Sequence, residues 1–252
     1  MISTNIKNSE VRSIIDEMGA FSVLEYNRDV SVISPAEAAS AYFSSMMNLR
    51  RRQVICSLDG TGVIMQAGAM QMMVGNIEAE TNVKGAGDLL KKAIGSKVTG
   101  ESAIKPRYTG RGLVVLEPTY KHVFMENISD WKNGIVIDDG LFLACDDTVK
   151  IGVQARQNIS SAAMGREGLF NTVLKGDGVA VFESPYPRSE LVEFVLTDDV
   201  IKIDGNMAVA WSASLQFTTE RTTATLIGSA ASGEGLVNVY RGTGRILVAP
   251  VQ

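Results

Sequence analysis

His122 is the single histidine of the chain. A Ser-His-Asp site can run on one histidine, but it needs a Gly-x-Ser-x-Gly elbow, and the chain has none. Cys56 and Cys145 lie far apart, each in an apolar stretch. Two such thiols read as buried and reduced, and with one histidine they do not make a zinc set. Three carboxylate pairs, Asp138-Asp139, Asp146-Asp147 and Asp198-Asp199, invite acid-base chemistry. That chemistry needs two carboxyls facing one pocket. Neighbours in a strand point to opposite faces. The pairs therefore read as solvated hairpin ends, with weak cation binding as the alternative. Four Gly-x-Gly pairs begin at Gly60, Gly110, Gly176 and Gly242. A dinucleotide fingerprint requires a third glycine and a following helix. Here an apolar run of strand character follows each pair, which points to tight turns. Met65, Met70, Met72 and Met73 could line an adaptable apolar site, though positions 70 and 72 fit the core face of one strand. Trp131 and Trp211 are too few for a base-stacking platform. No residue earns assignment as catalytic, cofactor-binding or metal-ligating, and no cofactor is expected.

The chain has 252 residues, 45% of them hydrophobic, and a formal net charge of -4. That is enough apolar material for a large core. A weakly acidic chain is a poor match for nucleic acid, whose affinity comes from neutralised phosphates. No apolar run reaches the roughly 18–20 residues that cross a bilayer. The polar first residues lack a signal-peptide core. A cytoplasmic address is expected, in keeping with reduced cysteines.

The elements behind these residues are mostly strands. Residues 21–34 alternate in places and predict one or two short strands. Ser34 then offers a cap and Pro35 a first helical position. Ala39, Tyr42, Phe43, Met46 and Leu49 follow helical spacing and form one face. The following Arg50, Arg51 and Arg52 suit the negative pole of that helix, with a binding patch as the minor reading. From Gln53 the texture predicts a meander with an Asp-Gly turn at residues 59–60. A second short helix is expected over 87–95, between Asp88 as cap and Gly95 as stop. After Gly100 the chain reads as strand and turn.

The strand region repeats. Gly110, Gly176 and Gly242 stand 66 residues apart, and apolar runs follow each. Ile137-Asp138 recurs as Ile203-Asp204 at the same offset, and Phe142–Cys145 falls on Ala208–Trp211. Acidic residues Glu101, Glu167 and Glu234 precede the turns. Fixed spacing marks a copied unit that needs its neighbours to complete a core.

Several of these segments resemble the family named for altered inheritance of mitochondria, member twenty-four. They are Gln66–Met70, Gly100–Ser102, Arg107–Gly112, Gly140–Ala144, Gly168–Phe170 with Gly176–Gly178, Met207–Trp211, Ser232–Val237 and Tyr240–Gly244. Their order and spacing, over roughly residues 53–252, carry the resemblance. It implies an all-β fold of three tandem β-sandwich-like repeats, similar to the tryptophan RNA-binding attenuation protein, in a symmetric oligomer. One or two short helices lie in the N-terminal third. It implies no known enzymatic activity. In eukaryotes the family is linked to mitochondrial inner-membrane organisation. The expected division is an extension over 1–50 with strands and a helix, then one domain over 51–252 with repeats at about 51–110, 111–176 and 177–252.

The function expected is a non-catalytic scaffold or binding protein that forms a homo-oligomer, a trimer being favoured, with room for another protein partner. A regulator binding RNA or a small aromatic ligand is the first alternative, and an enzyme of unrecognised type the second. Nucleic acid is the disfavoured partner.

Overall fold

The computed structural model describes residues 3–81, 104–155, 170–221 and 236–250. Strands dominate. The chain begins with β1 (Arg12–Met18) and β2 (Phe21–Tyr26), then helix α1 (Pro35–Met46). Next come β3 (Arg52–Met65), β4 (Met70–Glu80), β5 (Arg107–Leu116), β6 (His122–Asn127), β7 (Ile135–Ile137), β8 (Phe142–Asp146) and β9 (Lys150–Ala155). The remainder is β10 (Phe170–Lys175), β11 (Val179–Ser184), β12 (Val192–Asp204), β13 (Ala208–Ser212), β14 (Gln216–Arg221) and β15 (Leu236–Val248). Single 3-10 turns sit at Ile128–Asp130 and Arg188–Glu190. The expected helix over 87–95, and the residues Glu101, Glu167 and Glu234, lie outside the described residues.

These strands form two sheets, and every pairing is antiparallel. The first runs β1-β2-β3-β8-β11-β6, with β5 on the other edge of β3 and β4 beyond it. The second runs β12-β15-β13-β7-β10-β9, and β14 also pairs with β15. One long strand organises each sheet. β3 pairs along its length with β5, while its opposite edge meets β2 over residues 52–56 and β8 over 63–65. β15 pairs along its length with β12, while its opposite edge meets β14 over 236–241 and β13 over 246–248. A strand that serves two neighbours on one edge must bend between them, so each sheet curls.

The curling explains where the core sits. The first sheet wraps a cluster of its own residues, among them Phe21, Val54, Met65, Tyr108, Val114 and Val181. The second wraps Trp211, Phe217 and Tyr240, whose ring centroids lie 5.1 to 5.6 Å apart. A third cluster joins the sheets. It brings Phe124, Phe142 and Phe182 of the first against Ile135, Leu174 and Leu247 of the second. Burying large apolar side chains of this kind contributes about 1.5–3 kcal/mol each.

The Gly-x-Gly pairs correct the sequence reading. Only Gly176-Asp177-Gly178 lies in a connection, between β10 and β11. The other three pairs lie inside β3, β5 and β15. The expected turn at Asp59-Gly60 is a bulge within β3, where the register with β5 shifts between Asp59 and Gly62. β12 bulges likewise between Leu196 and Asp199, opposite Gly242 and Gly244 of β15. Bulges and tight turns both ask for positive φ, so the glycines alone do not tell them apart. Gly112 shows the requirement most clearly. Its φ is +147°, and a Cβ there would collide with the Val74 carbonyl of β4.

Strand starts also keep the 66-residue offset. β8 begins at Phe142 and β13 at Ala208, while β9 begins at Lys150 and β14 at Gln216. The three successive strand pairs β4-β5, β9-β10 and β14-β15 are each antiparallel.

Candidate functional site: helix α1 and the cleft beneath it

Helix α1 has signals at both ends. The Ser34 hydroxyl accepts from the Glu37 N–H at 3.2 Å, and Pro35 occupies the first turn. The Glu37 carboxylate reaches back to the Ile33 N–H at 3.0 Å. Such caps satisfy amides that the helix leaves open. At the other end Asn48 adopts φ +60°. The Leu49 N–H then donates to Ser44 O at 2.9 Å and the Asn48 N–H to Ser45 O at 3.2 Å. This is a Schellman closure with asparagine where glycine is commoner.

The arginines after the helix anchor it. Arg52 Nη2 donates to Asn48 O at 3.1 Å, and Arg50 Nε to Ser45 O at 3.4 Å, which agrees with the expected role at the helix's negative end. Their other partners were not legible in the sequence. Arg52 Nη2 lies 2.7 Å from Glu25 Oε2, and Arg50 Nη1 lies 3.2 Å from Glu25 Oε1. The Arg52 side chain is only 3% exposed. Arg51 Nε lies 3.0 Å from Asp29 Oδ2 and donates to the Tyr120 hydroxyl at 3.0 Å. Tyr120 in turn donates to Asp29 at 3.1 Å, and the Arg51 guanidinium stacks over the Tyr120 ring. The Tyr120 hydrogen bond, then the Asp29 charge, raise the Arg51 pKa above its ordinary value against partial burial.

Between α1 and residues 26–32 lies an open cleft of about 740 Å³. Its helix wall is Glu37, Ala38, Ser40, Ala41, Tyr42, Ser44 and Ser45. Its floor includes Arg50, Arg51 and Tyr120. Thus the side of α1 turned toward the body is mostly small and polar, with Tyr42 at its edge. The apolar side is turned out. No residue of α1 is buried. Phe43, Met46 and Met47 are 66%, 69% and 82% exposed, and none of them lines the cleft. The expected single apolar face is split: Tyr42 and Leu49 line the cleft, while Ala39, Phe43 and Met46 do not. β2 and β3 already pair within the first sheet, and their apolar side chains enclose that sheet's core without the helix.

Other residues singled out in the sequence do not converge on this site. His122 is half-buried at the start of β6; burial, then the Arg52 charge, hold its pKa below the usual value. Cys56 and Cys145 are buried free thiols, and burial pushes both pKa values up. Asp146 is not a solvated hairpin end. Its Oδ2 accepts from the Val179 N–H at 2.8 Å, and burial raises its pKa. Asp147 pairs with Arg107, and Asp198 sits at the β12 bulge with φ +51°. Met65 is in the core, as expected of the methionines. Met72 is not: the register slips between Met70 and Met72, which turns Met72 outward, and Met73 on the other face is exposed as well. Trp131 donates to Glu126 at 3.2 Å beneath the Arg245 guanidinium. Among the described residues no group of three or more His, Cys, Asp or Glu could hold a metal ion. Among them no helix is long and apolar enough to cross a membrane.

Known proteins resemble this chain over most of its length. An uncharacterised protein of Streptococcus pyogenes serotype M6 is 29% identical over 196 residues, which is 75% of this chain and 77% of that protein. A crystal structure of a Streptococcus pyogenes protein is 26% identical and superimposes with a TM-score of 0.59, covering 82% of this chain and 90% of that one. The match to a family model begins at Met46, the last residue of α1, so nearly all of the helix precedes it. Over residues 46–251 that match places the chain in the family described as Mitochondrial biogenesis AIM24.

Proposed function

We propose that the protein is a non-catalytic scaffold that self-assembles through its β body and presents a binding surface, working in the cytoplasm. The observation that carries this reading is a pair of long edge strands. β4 has 11 residues and pairs only with β5; β12 has 13 and pairs only with β15, among the described residues. An unpaired edge is a template for another chain unless it is blunted. These edges expose apolar side chains: Met72 and Met73 on β4, and Val192, Phe194, Val195 and Val200 on β12, with Val195 75% exposed. The 66-residue step from β8 and β9 to β13 and β14, with the glycine pairs at 110, 176 and 242, supports three tandem β-sandwich-like units of the kind found in the tryptophan RNA-binding attenuation protein. A closed symmetric assembly, a trimer being favoured, removes such open edges. The buried thiols Cys56 and Cys145 suit a reducing compartment.

Light scattering at micromolar concentration tests the reading. The mass should be a multiple of the chain mass, three chains being the favoured unit. The double variant F194K/V195K should fall to a lower order, because charge on an edge strand opposes pairing. A wild-type chain that runs as a monomer overturns the assembly.

A further inference from the structure

We infer that helix α1 is a self-pairing device: two copies of the chain join through antiparallel packing of their α1 helices, side by side on the outward face. This rests on the scaffold reading only in taking the protein to be an assembling one. It names a second contact, separate from the β edges.

The outward face reads as a short heptad seam. Ala36, Ala39, Phe43 and Met46 follow the spacing 3-4-3 of a and d positions. All four are exposed, and none lines the cleft. The small residues occupy the first half of the helix and the large ones the second. A parallel pair would stack Phe43 on Phe43 and leave Ala36 facing Ala36 across a gap. An antiparallel pair about a twofold axis sets Ala36 against Met46 of the second copy and Ala39 against Phe43. Every large side chain then meets a small one, which is the self-complementarity a twofold contact requires. The register is also the one in which a positions face d positions.

Charge and area agree with this occupant. The outward residues Ala36, Ala39, Phe43, Met46 and Met47 carry no charge, so two copies approach without repulsion. A helix that lies on a lipid surface is instead rich in Lys and Arg on its polar face. α1 has neither, and its single charged residue is Glu37. Tyr42 flanks the seam but also lines the cleft, so the outward patch is Phe43, Met46 and Met47, with Ile33, 92% exposed, before the helix. At roughly 150–200 Å² for side chains of this size, their exposed fractions come to about 500 Å² per copy. Twice that reaches the ~1,000 Å² that a specific interface should clear.

Sedimentation and crosslinking of the full chain test the inference together. Wild type should have twice the mass of F43E and of M46E at micromolar concentration. α1 buries no side chain, so both variants should keep the far-ultraviolet spectrum of the β body. A mixture of A36C and M46C chains should form a disulfide-linked pair on mild oxidation, while A36C alone should not. The native cysteines are buried and give no background. Equal masses for wild type, F43E and M46E overturn the inference, as does efficient A36C self-linkage. Failure here is separable from failure of the scaffold reading. A wild-type trimer untouched by F43E ends this inference and keeps that reading, while a wild-type dimer that F43E splits into monomers does the reverse.

Discussion

Strand β2 and helix α1 are neighbours in the chain and opposites in the fold. β2 reads Phe-Ser-Val-Leu-Glu-Tyr, and its first five residues are buried. α1 reads Pro-Ala-Glu-Ala-Ala-Ser-Ala-Tyr-Phe-Ser-Ser-Met, and none is buried. Both have the pattern that ordinarily buries one face. The difference lies in what surrounds them. β2 pairs with β1 and β3 and places Phe21 and Val23 in the first sheet's core, with Leu24 on the other side against Ile55 and Val115. α1 approaches a body whose core is already closed, and it turns Ala41, Ser44 and Ser45 inward. Apolar content states a need for burial. It does not state that the same chain will meet it.

Core truncation should break this contrast most severely. Phe182, 5.3 Å from Phe124 between ring centroids, lies in the cluster that joins the sheets. Phe182→Ala should cost about 3–5 kcal/mol, read as a large fall in the urea midpoint. The hinge between the two regions comes next. Glu25 on β2 holds Arg50 and Arg52, so Glu25→Gln leaves the Arg52 guanidinium buried without its counter-ion. A loss of about 3 kcal/mol is expected, together with weakened protection of α1 amides in hydrogen exchange. An unchanged midpoint would mean that the helix is not anchored through β2. The smallest effect belongs to the helix itself. Ser34→Ala removes the cap on the Glu37 N–H. It should cost about 1 kcal/mol of helix stability, seen as faster exchange in α1 while β2 and β3 stay protected. Equal loss of protection in both regions would show that they fold as one unit.

Much of the site's local structure was legible. Ser34, Pro35 and the helical spacing marked α1, and Arg50 and Arg52 at its end behave as their position suggested. The glycines marked positive φ, and their spacing kept its register in the strands. The ion pairs were not legible. Glu25 and Arg52 are separated by a helix and meet only because β2 and β3 pair, with Glu25 opposite Arg52. Asp29, Arg51 and Tyr120 meet because the chain returns beside β3, where Thr119 bridges to Arg52. Met72 left the core because one residue slipped at the start of β4, and a one-residue slip reverses which side faces inward.

Residue order by itself determined element type, since propensity, capping and turn chemistry act within a few residues. It also determined which side chains seek burial. The choice of which apolar faces are covered belonged to tertiary structure, because burial depends on surfaces brought together from distant parts of the chain. That choice closed the sheets on Trp211, Phe182 and Met65, and it left Phe43, Met46 and Met47 facing outward.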